Sequence, residues 1–392
     1  MTMGIPLVYS LRSIAVRKGS SAMAVGGIAL VVVVFVTLLS LAAGFRRVVE
    51  TSGSPRNVIV LRKGADAELQ SQVLREAARI IGELPLVAEE NGRKLAVCES
   101  VLILARPKQG GGETNVTIRG TQSHARDVHT EVRLTRGRWF TPGSSEAVLG
   151  VGLARRLQDM GLGRTLTVGR NSWHIVGLFE ADGSALESEL WMDGDLLQTA
   201  FRRGGIFQSV LFRAAGSARE SASQFNKLAE SDLRLRSVQA TTEKEYYKKQ
   251  AKLMADLITI LGGILTGIMS VGAIAGAMNT MYAGVSQRKR EIGCLLAMGF
   301  TPEAVWLAFM VESLTLAAVG AILGCAVSLV FNGMKTGMTN WATFSETAFE
   351  FLVTPGILAT ASMLSLLMGF VGGVLPAFRA ARMKVVDALR RA

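Results

Sequence analysis

Residues 243–282 read EKEYYKKQAKLMADLITILGGILTGIMSVGAIAGAMNTMY. The opening EKEYYKKQAKLMADL is rich in helix-favouring residues and holds no Pro or Gly, and no charge follows from Leu257 to Gln287. One helix is therefore expected over about 243 to 282. At about 1.5 Å rise per residue it is roughly 60 Å long, about twice the hydrocarbon thickness of a bilayer. Half of it is expected to cross a membrane and half to stand outside as a stalk. A single element then joins a membrane region to an extramembrane one.

Working outward, charge is also absent from Gly19 to Phe45, from Ser313 to Met334 and from Phe351 to Phe378. With 49% hydrophobic and 19% charged residues over 392 positions, the chain is more apolar than an ordinary soluble domain of its size. Each uncharged run is long enough to span a bilayer, so four transmembrane helices are expected, at 22–45, within 243–284, at 304–332 and at 353–376. The first run follows Arg12, Arg17 and Lys18 as a signal peptide would, but its apolar core from Ala22 to Leu41 exceeds the roughly 7 to 15 residues of such peptides.

The formal charge of +12 does not point to nucleic acid, because its short-flank positives sit beside spans. Arg12, Arg17 and Lys18 precede the first span, Arg288, Lys289 and Arg290 follow the second, and Arg379, Arg382, Lys384, Arg390 and Arg391 follow the fourth. The positive-inside rule then places residues 1–21, 285–303 and 377–392 in the cytoplasm, with 46–242 and the short loop 333–352 outside. By this topology Cys98, Cys294 and Cys325 fall in three different environments and form no disulfide framework.

The outer segment mixes β-rich runs at Asn57–Leu61, Asn115–Ile118, Ala147–Leu149, Thr165–Val168 and Trp173–Phe179 with helical stretches at Asp66–Ile81, Gly152–Met160 and Ser217–Glu230. An α+β domain is expected, inserted between spans one and two, with a hairpin turn at residues 170–172 and a flexible loop at Gly110, Gly111 and Gly112. Inside the spans, glycines recur four apart, as Gly263 with Gly267, Gly272 with Gly276, Gly320 with Gly324 and Gly369 with Gly373, a spacing that lets helix backbones approach closely.

Several chemistries find no carrier. There is no GxxxxGK[ST] phosphate loop, so ATP is expected to be bound by a partner and no cofactor by this chain. There is no GxSxG elbow and hence no catalytic candidate, and no HExxH or cysteine cluster at metal spacing. His124 and His129, five apart around Asp127, read as part of a solvated loop and no metal ligand is assigned. Glu312, about two turns into the third span, reads as an interfacial carboxylate facing positive charge, not as a proton relay.

Residues 286–300 read SQRKREIGCLLAMGF. Arg288 and Lys289 suit positive-inside anchoring, but anchoring needs neither Glu291 nor the apolar face of Ile292, Leu295, Leu296 and Met298. A short amphipathic cytoplasmic helix is expected, closed by Gly299 and restarted by Thr301 and Pro302, able to lie in a groove of a partner protein.

SQRKREIGCLLAMGFTPEAVWLAFMVESL at 286–314, LPAFRAARMKVVDALR at 375–390, YSLRSIAVRKGSSAMAVGGIAL near the start and RGRWFTPGSSEAVLGVGLARRL at 136–157 resemble the MacB/FtsX-type permeases. These are membrane subunits of mechanotransmitting ABC transporters. The resemblance implies that 46–242 is a periplasmic core domain and that 285–303 couples to an ATPase through Arg290, Glu291, Ile292, Gly293, Leu295, Leu296, Met298 and Gly299. Helix packing falls to Gly263, Gly267, Gly272 and Gly276. It further implies a separate ABC ATPase dimer, a second permease copy or paralogue, a periplasmic adaptor (membrane fusion protein), and a bacterial inner-membrane location. The expected activity is ATP-driven export or extraction of an amphiphilic or lipid-linked substrate or drug, with FtsX-like activation of an extracytoplasmic enzyme as the alternative.

Overall fold

The computed structural model describes residues 18–107, 113–157, 160–168, 171–339 and 346–385. The triglycine at 110–112 and all but the last four residues of the 1–21 segment lie outside the described residues, as do residue 170 of the expected hairpin turn and the tail beyond residue 385. The chain forms two compact units, Gly44–Ala255 with Lys335–Phe349, and Met1–Ala43 with Asp256–Met334 and Glu350–Ala392.

The first unit is built on a mixed ten-stranded sheet. Its strands run in the order Val238–Thr242, Asn57–Arg62, Ser209–Arg213, Ala96–Pro107, Glu113–Thr121, Glu189–Asp193, Glu146–Gly150, Asn171–Glu180 and Arg133–Gly137, with Thr165–Val168 paired to Asn171–Glu180. Two pairings are parallel, Glu189–Asp193 with Glu113–Thr121 and Asn171–Glu180 with Glu146–Gly150. The run NVIVL forms a strand buried on both faces, as its unbroken apolarity requires. Val58 and Val60 meet Ala77, Ile81, Ala222 and Phe225 in one apolar core, while Ile59 and Leu61 join Trp191, Phe179 and Tyr246 in another. A third core gathers Ile118, Leu149, Trp173 and Ile175.

The helix expected over Asp66–Ile81 forms only from Arg75 to Gly82. Before it lie a single 3₁₀ turn at Glu68–Gln70 and a two-residue strand, Val73–Leu74. The cause is competition from side chains: Glu68 is drawn inward to Arg119 at 2.9 Å, and the Ser71 hydroxyl accepts from the Arg62 amide at 2.8 Å. The stretch expected at Gly152–Met160 is likewise reduced to a helix over Val151–Ala154, whereas Ala218–Ser231 is helical as expected.

Among the described residues, four helices are long and apolar enough to cross a membrane: Lys18–Thr51, Glu243–Gln287, Pro302–Leu329 and Pro355–Ala381. The second, of 45 residues, is continuous from the edge strand Val238–Thr242 onward and runs through residues of both units. The last two each open on a Thr-Pro pair, in which the N-cap hydroxyl of Thr301 accepts from the Ala304 amide and that of Thr354 from the Ile357 amide, both at 3.3 Å. The loop expected at 333–352 contains two paired strands, Lys335–Thr339 and Glu346–Glu350.

Close helix packing in the membrane unit is made by glycines other than those singled out in the second span. A Cβ on Gly324 would lie 2.6 Å from Val32 Cβ and 2.8 Å from the Ala29 carbonyl, and one on Gly369 would lie 2.4 Å from Ala317 Cβ. Hydroxyls reinforce that seam: Ser313 donates to the Gly369 carbonyl at 2.6 Å and Ser365 to the Ala317 carbonyl at 2.8 Å. Around Gly263, Gly267, Gly272 and Gly276, by contrast, a Cβ would meet nothing within 4 Å, so the expectation that these four pack helices is not met within the chain. All four are exposed, on a helix that turns Gly262 and Ala277 inward instead. Gly324→Val is accordingly expected to lower the stability of the detergent-solubilised chain by about 1–3 kcal/mol, the usual cost of overpacking, while Gly267→Val leaves it unchanged. Thermal unfolding of the two variants side by side checks this.

Candidate functional sites: a short helix between spans and a buried ionic cluster

The charged stretch after the second span forms a helix over Lys289–Ala297. It ends where expected. Gly299 adopts φ +93°, its amide donates to the Leu296 carbonyl at 3.2 Å, and the Phe300 amide donates to the Leu295 carbonyl at 3.2 Å, which is the paired capping of a left-handed helix stop.

The faces of this helix differ from the reading of the sequence. Ile292, only 2% exposed, and Leu296 pack into the chain's own core with Val285, Val305, Phe309 and Ala377, and Gly293 is buried. Leu295 is half-buried, and the outward surface consists of Arg290, Glu291, Cys294, Met298 and Gly299. The apolar stripe was legible, but part of it is consumed by the protein's own fold. Arg288 also departs from the anchoring role. Its guanidinium is drawn in, with Nη1 donating to Glu312 at 3.2 Å, Nε donating to Glu291 at 3.0 Å, and its plane over the Phe309 ring at 5.4 Å. Glu312 thus faces positive charge as expected, and Arg288 supplies it.

A second concentration of charge lies in the sheet unit, and no motif announced it. Arg119 is 3% exposed and is surrounded by three carboxylates. Its Nε and Nη2 donate to Glu189 at 2.7 and 2.8 Å, its Nη1 to Glu99 at 2.7 Å and to Glu68 at 2.9 Å. The indole of Trp191 donates to Glu189 at 2.7 Å and the Ser209 hydroxyl to Glu68 at 2.7 Å. Adjacent strands bring these residues together: Val101 pairs with Arg119, Arg119 with Trp191, and Ser209 with Glu99.

The cluster continues to His129, which is 1% exposed and not in a solvated loop as the sequence reading had it. Its Nε2 lies 3.0 Å from Glu99 Oε1, and its ring packs edge-on against Trp191 at 4.9 Å. Glu243, the first residue of the long helix, is equally buried and accepts from the Ser54 amide at 2.8 Å and from Asn57 Nδ2 at 2.9 Å. Burial pushes the Glu99 carboxyl up, but Arg119 and His129 outweigh it and hold that carboxyl down at about 2. Burial pushes Glu243 up to about 7, against the pull of His129. His129 itself, despite burial, is held well above the ordinary histidine value by Glu99.

Comparison with known proteins agrees with this architecture. The model described as MacB-like periplasmic core domain matches residues 21–227, more than half of the chain, and the FtsX-like permease C-terminal model matches 263–385. The chain belongs to the MacB/FtsX-type permeases. It is a membrane protein, the permease of an ABC transporter. It is 24% identical over 296 residues to the uncharacterized ABC transporter permease YknZ of Bacillus subtilis, covering 71% of this chain and 70% of that one. It is 25% identical over 406 residues to the macrolide export ATP-binding/permease protein MacB of Hyphomonas neptunium, covering 97% of this chain but only 60% of that protein. The solved periplasmic region of MacB from Actinobacillus actinomycetemcomitans aligns with 48% of this chain and 90% of that one, at 11% identity and a TM-score of 0.36. The matched core domain stops at residue 227, inside the helix Ala218–Ser231, whereas the sheet of this permease extends to the edge strand Val238–Thr242.

Replacing Arg119 by Met in this permease would leave Glu68, Glu99 and Glu189 buried around an uncharged side chain. The expected loss is about 3–5 kcal/mol, the range for breaking one partner out of a buried ion cluster. Thermal unfolding followed by tryptophan fluorescence measures it, and a loss below about 1 kcal/mol would count against a charged cluster.

Proposed function

We propose that this permease carries ATP-driven motion from a separate ABC ATPase dimer to its sheet unit, and so drives export or extraction of an amphiphilic or lipid-linked substrate. The observation that carries this reading is the unbroken helix Glu243–Gln287. It is anchored at its start by buried Glu243 and Tyr246, and two residues after its end the short helix Lys289–Ala297 begins. A helix is stiff along its axis, so displacement at one end reaches the other without passing through loops. The nucleotide chemistry is assigned to that ATPase dimer.

The short helix is assigned as the docking element for that ATPase, through the outward residues Arg290, Glu291, Cys294 and Met298. This places residues 285–303 and both termini in the cytoplasm of a bacterial inner membrane and the sheet unit in the periplasm, where an adaptor protein is a further partner. The exposed sides of this helix, with Gly263 and Gly267 about half a turn round from Gly272 and Gly276, are the surfaces offered to a second permease copy or paralogue. A sheet unit of this size favours export over activation of an extracytoplasmic enzyme.

Glu291→Lys is expected to reduce both the amount of ATPase subunit that copurifies in mild detergent and the permease-stimulated ATPase rate. Unchanged values of both would show that the short helix is not the docking element. Topology is read with a membrane-impermeant maleimide on spheroplasts. Burial pushes the Cys98 thiol up to about 11, which makes it a poor reporter, so an added cysteine at Leu233, 80% exposed, serves for the outer side. Leu233→Cys is expected to be labelled and Cys294 to be labelled only after lysis; labelling of Cys294 in intact spheroplasts overturns the orientation.

A further inference from the structure

Beyond Arg119, the ionic cluster contains a buried nitrogen with no hydrogen bond, His129 Nδ1. Two carboxylate oxygens face it, Glu131 Oε1 at 3.6 Å and Glu243 Oε1 at 4.0 Å. Glu131 Oε1 has no hydrogen-bond partner either. These separations are too long for an N–H···O bond, which closes to about 2.7–3.2 Å. Two nitrogen or oxygen ligands of a tetrahedral ion bound at about 2.0–2.2 Å lie about 3.3–3.6 Å apart, so the Glu131 oxygen already stands at ligand spacing and the Glu243 oxygen is within about 0.5 Å of it.

The surrounding groups hold each donor in place. Glu99 takes the other ring nitrogen of His129 at 3.0 Å, the arrangement that turns the second imidazole nitrogen toward a metal. The Ser54 amide and Asn57 Nδ2 occupy Glu243 Oε2, which leaves Oε1 directed at His129. Formal charge points the same way. Glu68, Glu99, Glu189, Glu131 and Glu243 face only the Arg119 guanidinium and the His129 ring, which is protonated when no ion is bound, so the pocket has room for further positive charge. Glu131, at 14% side-chain exposure, is the ligand through which solvent and a cation gain access.

We propose that His129, Glu131 and Glu243 form a binding site for one divalent cation of the zinc class. One imidazole and two carboxylates suit a borderline transition metal better than magnesium or calcium, which favour all-oxygen sets. Three protein ligands leave a coordination position for water. Binding displaces any proton held on Nδ1 and ties the first residue of the long helix to the 129–131 segment.

The test uses the full chain in mild detergent, purified without a polyhistidine tag, in a Cys294→Ser background because that exposed thiol would itself bind zinc. After chelation and dialysis against micromolar ZnCl₂, elemental analysis is expected to find about one zinc per chain, with a rise in unfolding temperature of at least about 4 °C. Glu131→Gln, the variant least able to disturb the fold, and Glu243→Gln are each expected to retain less than about 0.2 zinc and to lose the zinc-dependent rise. His124→Gln keeps both. Circular dichroism of the zinc-free variants confirms that they are folded. Absence of zinc from the wild-type chain, or full retention by folded Glu131→Gln and Glu243→Gln, overturns the site.

Discussion

The sheet unit depends on one buried guanidinium. Arg119 sits on a central strand and holds Glu68, Glu99 and Glu189, which come from three other segments, within hydrogen-bond distance. A buried ion cluster of this kind is weak evidence for net stability, since taking four charges out of water costs as much as their attraction returns. Its consequence is specificity of arrangement. Only one register of the strands Ala96–Pro107, Glu113–Thr121 and Glu189–Asp193 brings both Glu99 and Glu189 to Arg119, and a slip of one residue would send them to the opposite face.

The same cluster reaches the points where the chain enters and leaves the sheet. Ser54 and Asn57 follow the first apolar helix, and Glu243 begins the second; the three are joined by hydrogen bonds to one carboxylate. His129 and Glu99 connect that carboxylate to Arg119. The first turn of the long helix is therefore held by a polar network through Glu243 as well as by an apolar core through Tyr246. Polar networks of this kind have defined geometry, whereas apolar contacts tolerate sliding.

In the membrane unit the governing constraint is the absence of water. Backbone groups are satisfied within helices, and association depends on close approach and on hydroxyl–carbonyl bonds. Gly324 against Val32 and Gly369 against Ala317 meet this requirement, with Ser313 and Ser365 as the polar contacts. The pair Arg288 and Glu312 extends it to charge: each is tolerable in a poorly hydrated position because the other is 3.2 Å away.

By itself the sequence determined the elements whose signal is local. The four spans, the Thr-Pro helix starts, the Gly299 stop and the long helix from Glu243 follow from charge-free runs, capping chemistry and the lack of breakers, all of which act within a few residues. The apolar stripe of Ile292, Leu295, Leu296 and Met298 was equally visible, but periodicity states that a face is apolar and not which body covers it; Ile292 and Leu296 turn out to face the chain's own core. Likewise four-residue glycine spacing marks Gly263 and Gly320 alike, and only the packing separates the open face from the closed seam. Tertiary structure alone decided the ionic cluster. Glu68, Glu99, Arg119, His129, Glu189 and Glu243 are spread over some 175 positions and share no spacing, because strand pairing and not sequence distance makes them neighbours.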